Sequence, residues 1–269
     1  MAGHMVTRYF RSLNKYEIFN ASLDKLDKTT ILINVENKDL VKKLLDKIKP
    51  NIVINCIGLL IKDSAENPAL SIFINSFFPH FLSELGKVIG FKLIHLSTDC
   101  VFSGNKGNYS ENDLKDGEGY YAKTKALGEI INQRDLTFRT SIIGPEIKKT
   151  GTGLFHWFFT QTGIIKGFTN VYWTGVTTLE LAKAIDKAIE KGVNSLYHLV
   201  PDEKISKFDL INLINEIWGR NIEILKNKDY QSDKSLINNR KDYNFNIPTY
   251  RKMLFELYEW MEKWDYDSY

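Results

Sequence analysis

Cysteine is scarce. Two residues, Cys56 and Cys100, among 269 supply neither a disulfide framework nor a metal-ligand spacing, so a stapled secreted scaffold and a zinc-held module are excluded and no metal is expected. Six prolines and no Gly/Ser-rich tract leave no extended linker. No apolar run approaches the ~18 residues of a membrane span, and no signal-peptide pattern opens the chain. The cytoplasm is therefore the expected location, with no membrane partner. An excess of one charge is missing too: 36 basic against 33 acidic residues leave a net charge of +3, which gives no electrostatic case for nucleic acid. Both cysteines close strand-like runs, where a small buried thiol is the expectation.

What is present is alternation. Residues 17–21 (EIFNA), 29–35 (TTILINV), 51–60 (NIVINCIGLL), 92–98 (KLIHLST) and 136–143 (LTFRTSII) are short, β-branched and near-continuously apolar, as strands buried on both faces are. Between them, helical spacing runs over 4–13, 38–48, 68–88 and 120–133. The pattern predicts an α/β fold with a parallel, doubly wound sheet and right-handed crossovers. Beyond residue 145 the texture changes. A Gly/Lys-rich loop (144–153) precedes a helix near 153–162, an aromatic segment (167–178) and a helix near 178–191. A strand (195–200), a helix near 206–218, a polar loop (227–243) and an amphipathic helix (250–264) follow. This half reads as a smaller lobe over the crevice, with two segments returning to the main sheet.

The run KLIHLSTDC stops at Ser97, Thr98 and Asp99. Capping and turning would account for these residues. Yet in a doubly wound sheet ligands bind outside the carboxyl ends of the strands, where these hydroxyls lie. Downstream, GYYAKTKALGE places Tyr121 and Lys125 four apart on one helical face. A phenol with pKa about 10 is a poor acid at neutral pH. A nearby ammonium favours the phenolate and brings it toward the working range. Thr98 can then bond the same substrate oxygen while hydride moves at the adjoining carbon. The spacing alone is weak, because chance gives about 1.4 such pairs in this composition. The second pair, Tyr230 and Lys234, sits in the polar loop with no strand-end hydroxyl before it and is read as coincidence. For Tyr121 and Lys125 the alternative is a solvated helix pair, which the strand-end STD makes the weaker reading.

With LSTDCVFSG, YYAKTKALGE, FRTSIIGP and INCIGLL…AENPALSIFIN in place, the chain over roughly 1–220 resembles an extended short-chain dehydrogenase/reductase, most similar to the dTDP-4-dehydrorhamnose reductase branch. The resemblance implies a Rossmann-type dinucleotide-binding domain over 1–145 and a mainly substrate-binding lobe over 146–269. It implies NADP or NAD as cofactor, reduction of a 4-keto nucleotide-activated deoxysugar for surface polysaccharide, and admits a homodimer. Thr98, Tyr121 and Lys125 take the catalytic roles: Tyr121 gives the proton, Lys125 lowers its pKa and binds the nicotinamide ribose, and Thr98 orients the carbonyl. Cofactor contacts are expected from Gly3, Asn34, Val35, Cys56, Ile57, Gly58, Asn75, Ser97, Tyr121, Lys125, Thr140 and Ser141, the last two beside Arg139 near the nicotinamide amide. Thr98, Asp99, Tyr172 and Trp173, with Trp157 nearby, are expected around the substrate; for the aromatics, lobe core is the rival reading.

Two departures matter. Related dehydratases carry Thr-Asp-Glu where this chain has Thr98-Asp99-Cys100, and a thiol does not replace a glutamate in acid–base elimination. Dehydration is disfavoured, leaving reduction or epimerisation. The reductases commonly carry Tyr in place of Cys100. Secondly, MAGHMVTRYFRSL reads as the tail of a G-x-x-G-x-x-G turn, with Gly3 its last glycine. The strand and two glycines that normally precede it are not in this sequence, so a gap in the sheet and weak cofactor affinity are expected. At the end of the second strand, Asn20 and Ser22 stand where an acid would favour NAD, and Lys25 follows Asp24; the cofactor expectation leans to NADP. The rivals are an epimerase holding its NAD tightly and a non-enzymatic dinucleotide-binding or regulatory homologue.

Overall fold

The structure, a computed structural model, describes residues 1–148, 151–264 and 266. The expected loop 144–153 therefore includes two residues, 149 and 150, outside the described residues.

The first helix, α1 (Ala2–Ser12), forms because Ala2, Met5, Val6 and Phe10 recur on one face, and that face packs on the helix α8 described below. Two short strands, β1 (Ala21–Ser22) and β2 (Ile31–Leu32), pair in parallel. Then come α2 (Lys38–Ile48), capped by the Asn37 side chain, β3 (Ile52–Asn55) and α3 (Ile61–Glu66). A continuous helical run follows as α4 (Pro68–Ser71), a π-helical turn over Ile72–Phe77, and α5 (Phe78–Ile89), which ends at Gly90 with φ +98°. β4 (Lys92–Thr98) leads through a 3₁₀ turn (Asp99–Val101) to α6 (Gly119–Leu127), β5 (Leu136–Thr140) and β6 (Ile142–Ile143).

In the second half, α7 (Leu154–Phe159), β7 (Ile164–Phe168), β8 (Val171–Trp173) and β9 (Val176–Thr177) precede α8 (Thr178–Lys191). After these lie β10 (Ser195–His198), β11 (Ile205–Ser206), α9 (Lys207–Ile217), β12 (Glu223–Asn227), β13 (Ser232–Asp233) and α10 (Tyr250–Trp264). Three expectations are corrected here. The aromatic segment and the polar loop contain strands, with β8 between β11 and β13 and β7 beside β12. The strand expected over 51–60 stops at Asn55, whose side-chain Oδ1 accepts the Ile57 amide and turns the backbone out of the ladder. The helix expected over 120–133 stops at Leu127, because Gly128 must pass close to another backbone, as described below.

The main sheet runs β10-β5-β4-β3, all parallel. β4 is its spine: Leu93 joins a cluster with Val41, Leu45, Phe78 and Leu82 on one face, while Ile94 joins the larger core on the other. Alternate side chains thus enter two buried layers, which is why β4 shows no polar alternation. The β1–β2 ladder is a separate sheet. Among the described residues no backbone hydrogen bond joins it to β3, so the sheet divides at the expected gap. The larger core is continuous through both halves, taking in Met5, Phe138, Phe155, Leu210 and Met253.

Candidate active site

The carboxyl ends of β3 and β4 and the buried face of α6 meet at one place. Thr98 ends β4 and caps the 3₁₀ turn, its Oγ1 accepting the Cys100 amide at 3.1 Å. The expected site residue Thr98 is therefore also a capping residue. The Thr98 hydroxyl donates to Asp99 Oδ1 at 3.1 Å, and both residues are buried. Tyr121 and Lys125 share the face of α6 turned to this turn, and the Tyr121 hydroxyl interacts with that of Thr98. Burial raises the Tyr121 pKa; Cys100 adds to the effect and Thr98 opposes it.

Lys125 departs from expectation. Its Nζ donates to the Leu96 carbonyl at 2.6 Å and does not bring the phenol down in this arrangement. The reason is desolvation: a buried ammonium must find an acceptor, and the Leu96 carbonyl lies within its reach. Burial also pulls the Lys125 pKa down to about 8, with Glu129 and Cys56 opposing.

Beside Lys125 runs a strip of bare backbone. A Cβ on Gly58 would stand 3.4 Å from Asn75 Oδ1 and 4.0 Å from Lys125 Nζ. Asn75 clamps this strip, accepting the Leu59 amide at 2.9 Å and donating to the Leu59 carbonyl at 3.0 Å. It sits in the π-helical turn, and π-bulges recur at functional sites. Gly128 closes against the Asn75 carbonyl so tightly that a Cβ would lie 1.9 Å from that oxygen. Gly3, at the start of α1, lies against Cys56, where a Cβ would meet Cys56 Cβ at 3.5 Å. Gly3, Cys56, Ile57, Gly58, Asn75 and Lys125 thus line one path, and the open backbone at Gly58 next to an ammonium fits a ribose and its phosphates.

Other expected residues take different places. Asn34 is exposed and folds back on Glu36, accepting its amide at 3.0 Å, while Val35 packs on the smaller core. The Ser97 hydroxyl is committed to Glu129 at 2.7 Å. Thr140 donates to the Leu199 carbonyl at 2.6 Å, and the Ser141 carbonyl accepts the Val176 amide. Arg139 pairs with Glu129 through two bonds of 2.7 Å. These four tie the strand ends together. Tyr172 is half-buried under the Lys204 ammonium, 4.4 Å from its ring. Trp173, at 3% exposure, belongs to the core beside Tyr250, so the rival reading of that aromatic is the one observed. Cys56 and Cys100 are free thiols whose pKa burial pushes up to about 12, which leaves them unreactive.

Sequence reasoning missed two lysines. Lys207, at the start of α9, and Lys234, set aside as half of a coincidental pair, both act on Asp99. It also missed the Asn55–His95 pair beneath the site, where Asn55 Nδ2 and His95 Nδ1 are 3.2 Å apart. No spacing signals Lys207; its clue is the register of β11 on β8, invisible before folding.

The RmlD substrate binding domain model matches residues 20–235. A dTDP-4-dehydrorhamnose reductase of Aggregatibacter actinomycetemcomitans is 32% identical over 137 residues, which are 49% of this chain and 47% of that one. The match thus spans about half the length of that relative. The methionine adenosyltransferase 2 subunit beta of Xenopus laevis is 21% identical over 78% of this chain and 67% of its own. Among solved structures, a dTDP-4-dehydrorhamnose reductase of Bacillus anthracis in complex with NADP superposes with a TM-score of 0.75 at 20% identity, covering 86% of this chain and 88% of that one. That likeness shows a Rossmann-type α/β fold. With the matched model spanning most of its length, the chain belongs to the RmlD substrate binding domain family.

Proposed function

We propose that the chain serves NAD(P)H-dependent reduction of a 4-keto nucleotide-activated deoxysugar, of the dTDP-4-dehydrorhamnose reductase kind, in surface polysaccharide biosynthesis. The observation that carries this reading is the meeting of Thr98, Tyr121 and Lys125 beside the open backbone of Gly58 at the carboxyl ends of β3 and β4. A bound reduced nicotinamide cofactor, NADPH by preference, would supply hydride and leave as NADP. Tyr121 gives its hydroxyl proton to the substrate oxygen. Lys125 would hold the cofactor's ribose in exchange for the Leu96 carbonyl, and its ammonium would favour the phenolate left behind. Asn75 keeps the Gly58–Leu59 strip in place for the phosphates. The half beyond 145 serves as the substrate lobe, with its Tyr172, and Asp99 from the turn after β4, toward the sugar. Nucleotide sugar and NADPH as reactants support a cytoplasmic location.

A homodimer belongs to the same proposal. Ile72 (51% exposed) and Phe77 (43%) on the helical run 68–89, with Leu127 (67%) at the end of α6 and Ile131 (59%) after it, leave apolar side chains exposed of the kind that marks association. Light scattering on the purified chain gives twice the monomer mass if this face pairs.

The test of the reaction is a panel of 4-keto nucleotide sugars with NADPH and with NADH, followed at the nicotinamide absorbance. Turnover of at least one supports the proposal; none overturns it. The division of the sheet between β1 and β3 favours a second reading, a dinucleotide-binding regulatory subunit, in which cofactor binds and no keto sugar is consumed.

A further inference from the structure

The backbone from Cys56 to Leu60 is neither strand nor helix, so side chains have to set its course past Gly58. Two asparagine amides do this. Asn75 takes the Leu59 N–H and gives to the Leu59 carbonyl, and it is fixed in turn by the Ser71 and Thr124 hydroxyls, each 3.3 Å away. Asn55 Oδ1 takes the Ile57 N–H at 3.1 Å. The other end of the Asn55 amide meets His95.

The register of the main sheet sets Asn55 on β3 directly opposite His95 on β4, and both side chains are buried. A backbone N–H can only donate, so the Asn55 oxygen faces Ile57 and its NH2 faces the ring. Asn55 Nδ2 therefore donates to His95 Nδ1 across 3.2 Å. This bond fixes the imidazole as well. Burial lowers the His95 pKa well below its ordinary value, and the Lys125 charge adds to the effect, so the ring is neutral and carries one hydrogen, on Nε2. Nε2 is buried without a partner, which leaves Asn55 alone to select the tautomer. With the hydrogen on Nδ1 instead, two donors would face each other. Turning the amide over would relieve that clash and set the NH2 against the Ile57 N–H, which breaks the bond at the head of the cofactor path.

We propose that His95 is a positioning residue for the cofactor: by accepting from Asn55 it locks that amide, and the locked amide holds the Ile57–Gly58 backbone in the course a dinucleotide needs. The role rests on the cofactor path of the proposed function. His95 acts there through Asn55 and not by contact with the ligand.

The experiment observes the histidine ring nitrogens of the full chain by long-range proton–nitrogen NMR and measures the Kd for NADPH by nicotinamide fluorescence, in the wild type, His95→Leu, His95→Asn and Asn55→Asp. In the wild type, His95 Nδ1 shows the shift of a bare nitrogen and Nε2 that of a protonated one. The carboxylate of Asn55→Asp only accepts, so the hydrogen moves to Nδ1. His95→Leu keeps apolar bulk and removes the acceptor. Loss of one net hydrogen bond raises its Kd about fivefold or more, while kcat at saturating NADPH, on a turned-over keto sugar, stays within about twofold. His95→Asn is smaller but places an oxygen near the position of Nδ1, and it brings the Kd back toward the wild type. A part in packing alone gives the opposite order, with His95→Leu tolerated and His95→Asn not, and that order overturns the proposal. So does a hydrogen on Nδ1 in the wild type, or a ring unchanged by Asn55→Asp. Should His95→Leu fail to fold, His95→Phe carries the same comparison. A wild type that binds no NADPH counts against the proposed function instead. Hydrogen exchange of the Ile57 amide then decides the role of His95: faster exchange in His95→Leu than in the wild type supports it, and equal exchange overturns it.

Discussion

Lys125 Nζ donates to the Leu96 carbonyl across 2.6 Å, so the buried ammonium is satisfied by the backbone of β4. Its pKa of about 8 fixes a sign. The charged form, which the proposed reaction requires, is present below that pH and is lost as pH rises through it. kcat/KM reports the free enzyme, so its profile should fall on the alkaline side near pH 8. Lys125→Arg should move that limb beyond the alkaline range, since a guanidinium does not deprotonate there. A limb left at the same pH in Lys125→Arg would assign it to another group.

In the proposed reaction Tyr121 supplies the proton, while the side chains beside Gly58 are those of Asn75 and Lys125. Tyr121→Phe removes only the hydroxyl, and loss of a general acid costs roughly 10²–10⁴-fold. The expected outcome is a kcat lowered by that amount, with the Kd for NADPH, measured by nicotinamide fluorescence, within about twofold of wild type. Retained turnover would show that another group donates.

The Glu129–Arg139 pair is buried on both sides, at 0% and 1% side-chain exposure, and Ser97 and Lys115 also bond to Glu129. Glu129→Gln leaves the guanidinium without its counter-charge, a change that costs about 3–5 kcal/mol. Urea unfolding should show that loss. Adding Arg139→Met should recover part of it, because the orphaned charge is then gone. If the double variant is as unstable as the sum of the singles, the pair is not what holds the strand ends together.

Much of this was legible beforehand, for reasons visible in particular residues. β4 announced itself because Leu93 and Ile94 fill two opposite cores, leaving an apolar run with no polar alternation. α1, α8 and α10 were legible from the spacing of their buried faces. Thr98, Tyr121 and Lys125 could be named because strand end and helix face are local properties. β7 and β12 were not foreseen: they pair with each other across more than fifty residues, and Gly167 and Lys226 dilute their β-propensity. The direction of Lys125 was beyond reach as well, since it depends on desolvation and on a carbonyl from another element. Lys207 and Lys234 looked like any two of the chain's surface lysines until the lobe folded over Asp99.

His198 is neutral in the fold, and its tautomer follows from its neighbours. Arg139 Nη1 can only donate, so His198 Nε2 accepts at 2.8 Å, and Nδ1 carries the hydrogen that goes to the Ile237 carbonyl at 2.8 Å. Burial lowers its pKa to about 4, against about 6.5 in an unfolded chain. The unfolded state therefore binds the proton first as pH falls. Stability is fully present above pH ~6.5 and declines toward pH ~4, by about 3 kcal/mol across the window. Lys115, Glu129 and Glu111 lie around this network, so the measurement has to isolate the imidazole. Urea midpoints taken at intervals from pH 7 to pH 4.5 should fall steeply in the wild type. In His198→Gln, which keeps an acceptor for Arg139 and a donor for Ile237 without a titrating ring, they should fall much less. Equal slopes in the two proteins would mean that the imidazole carries no part of the acid sensitivity and that the neutral tautomer assigned from Arg139 is wrong.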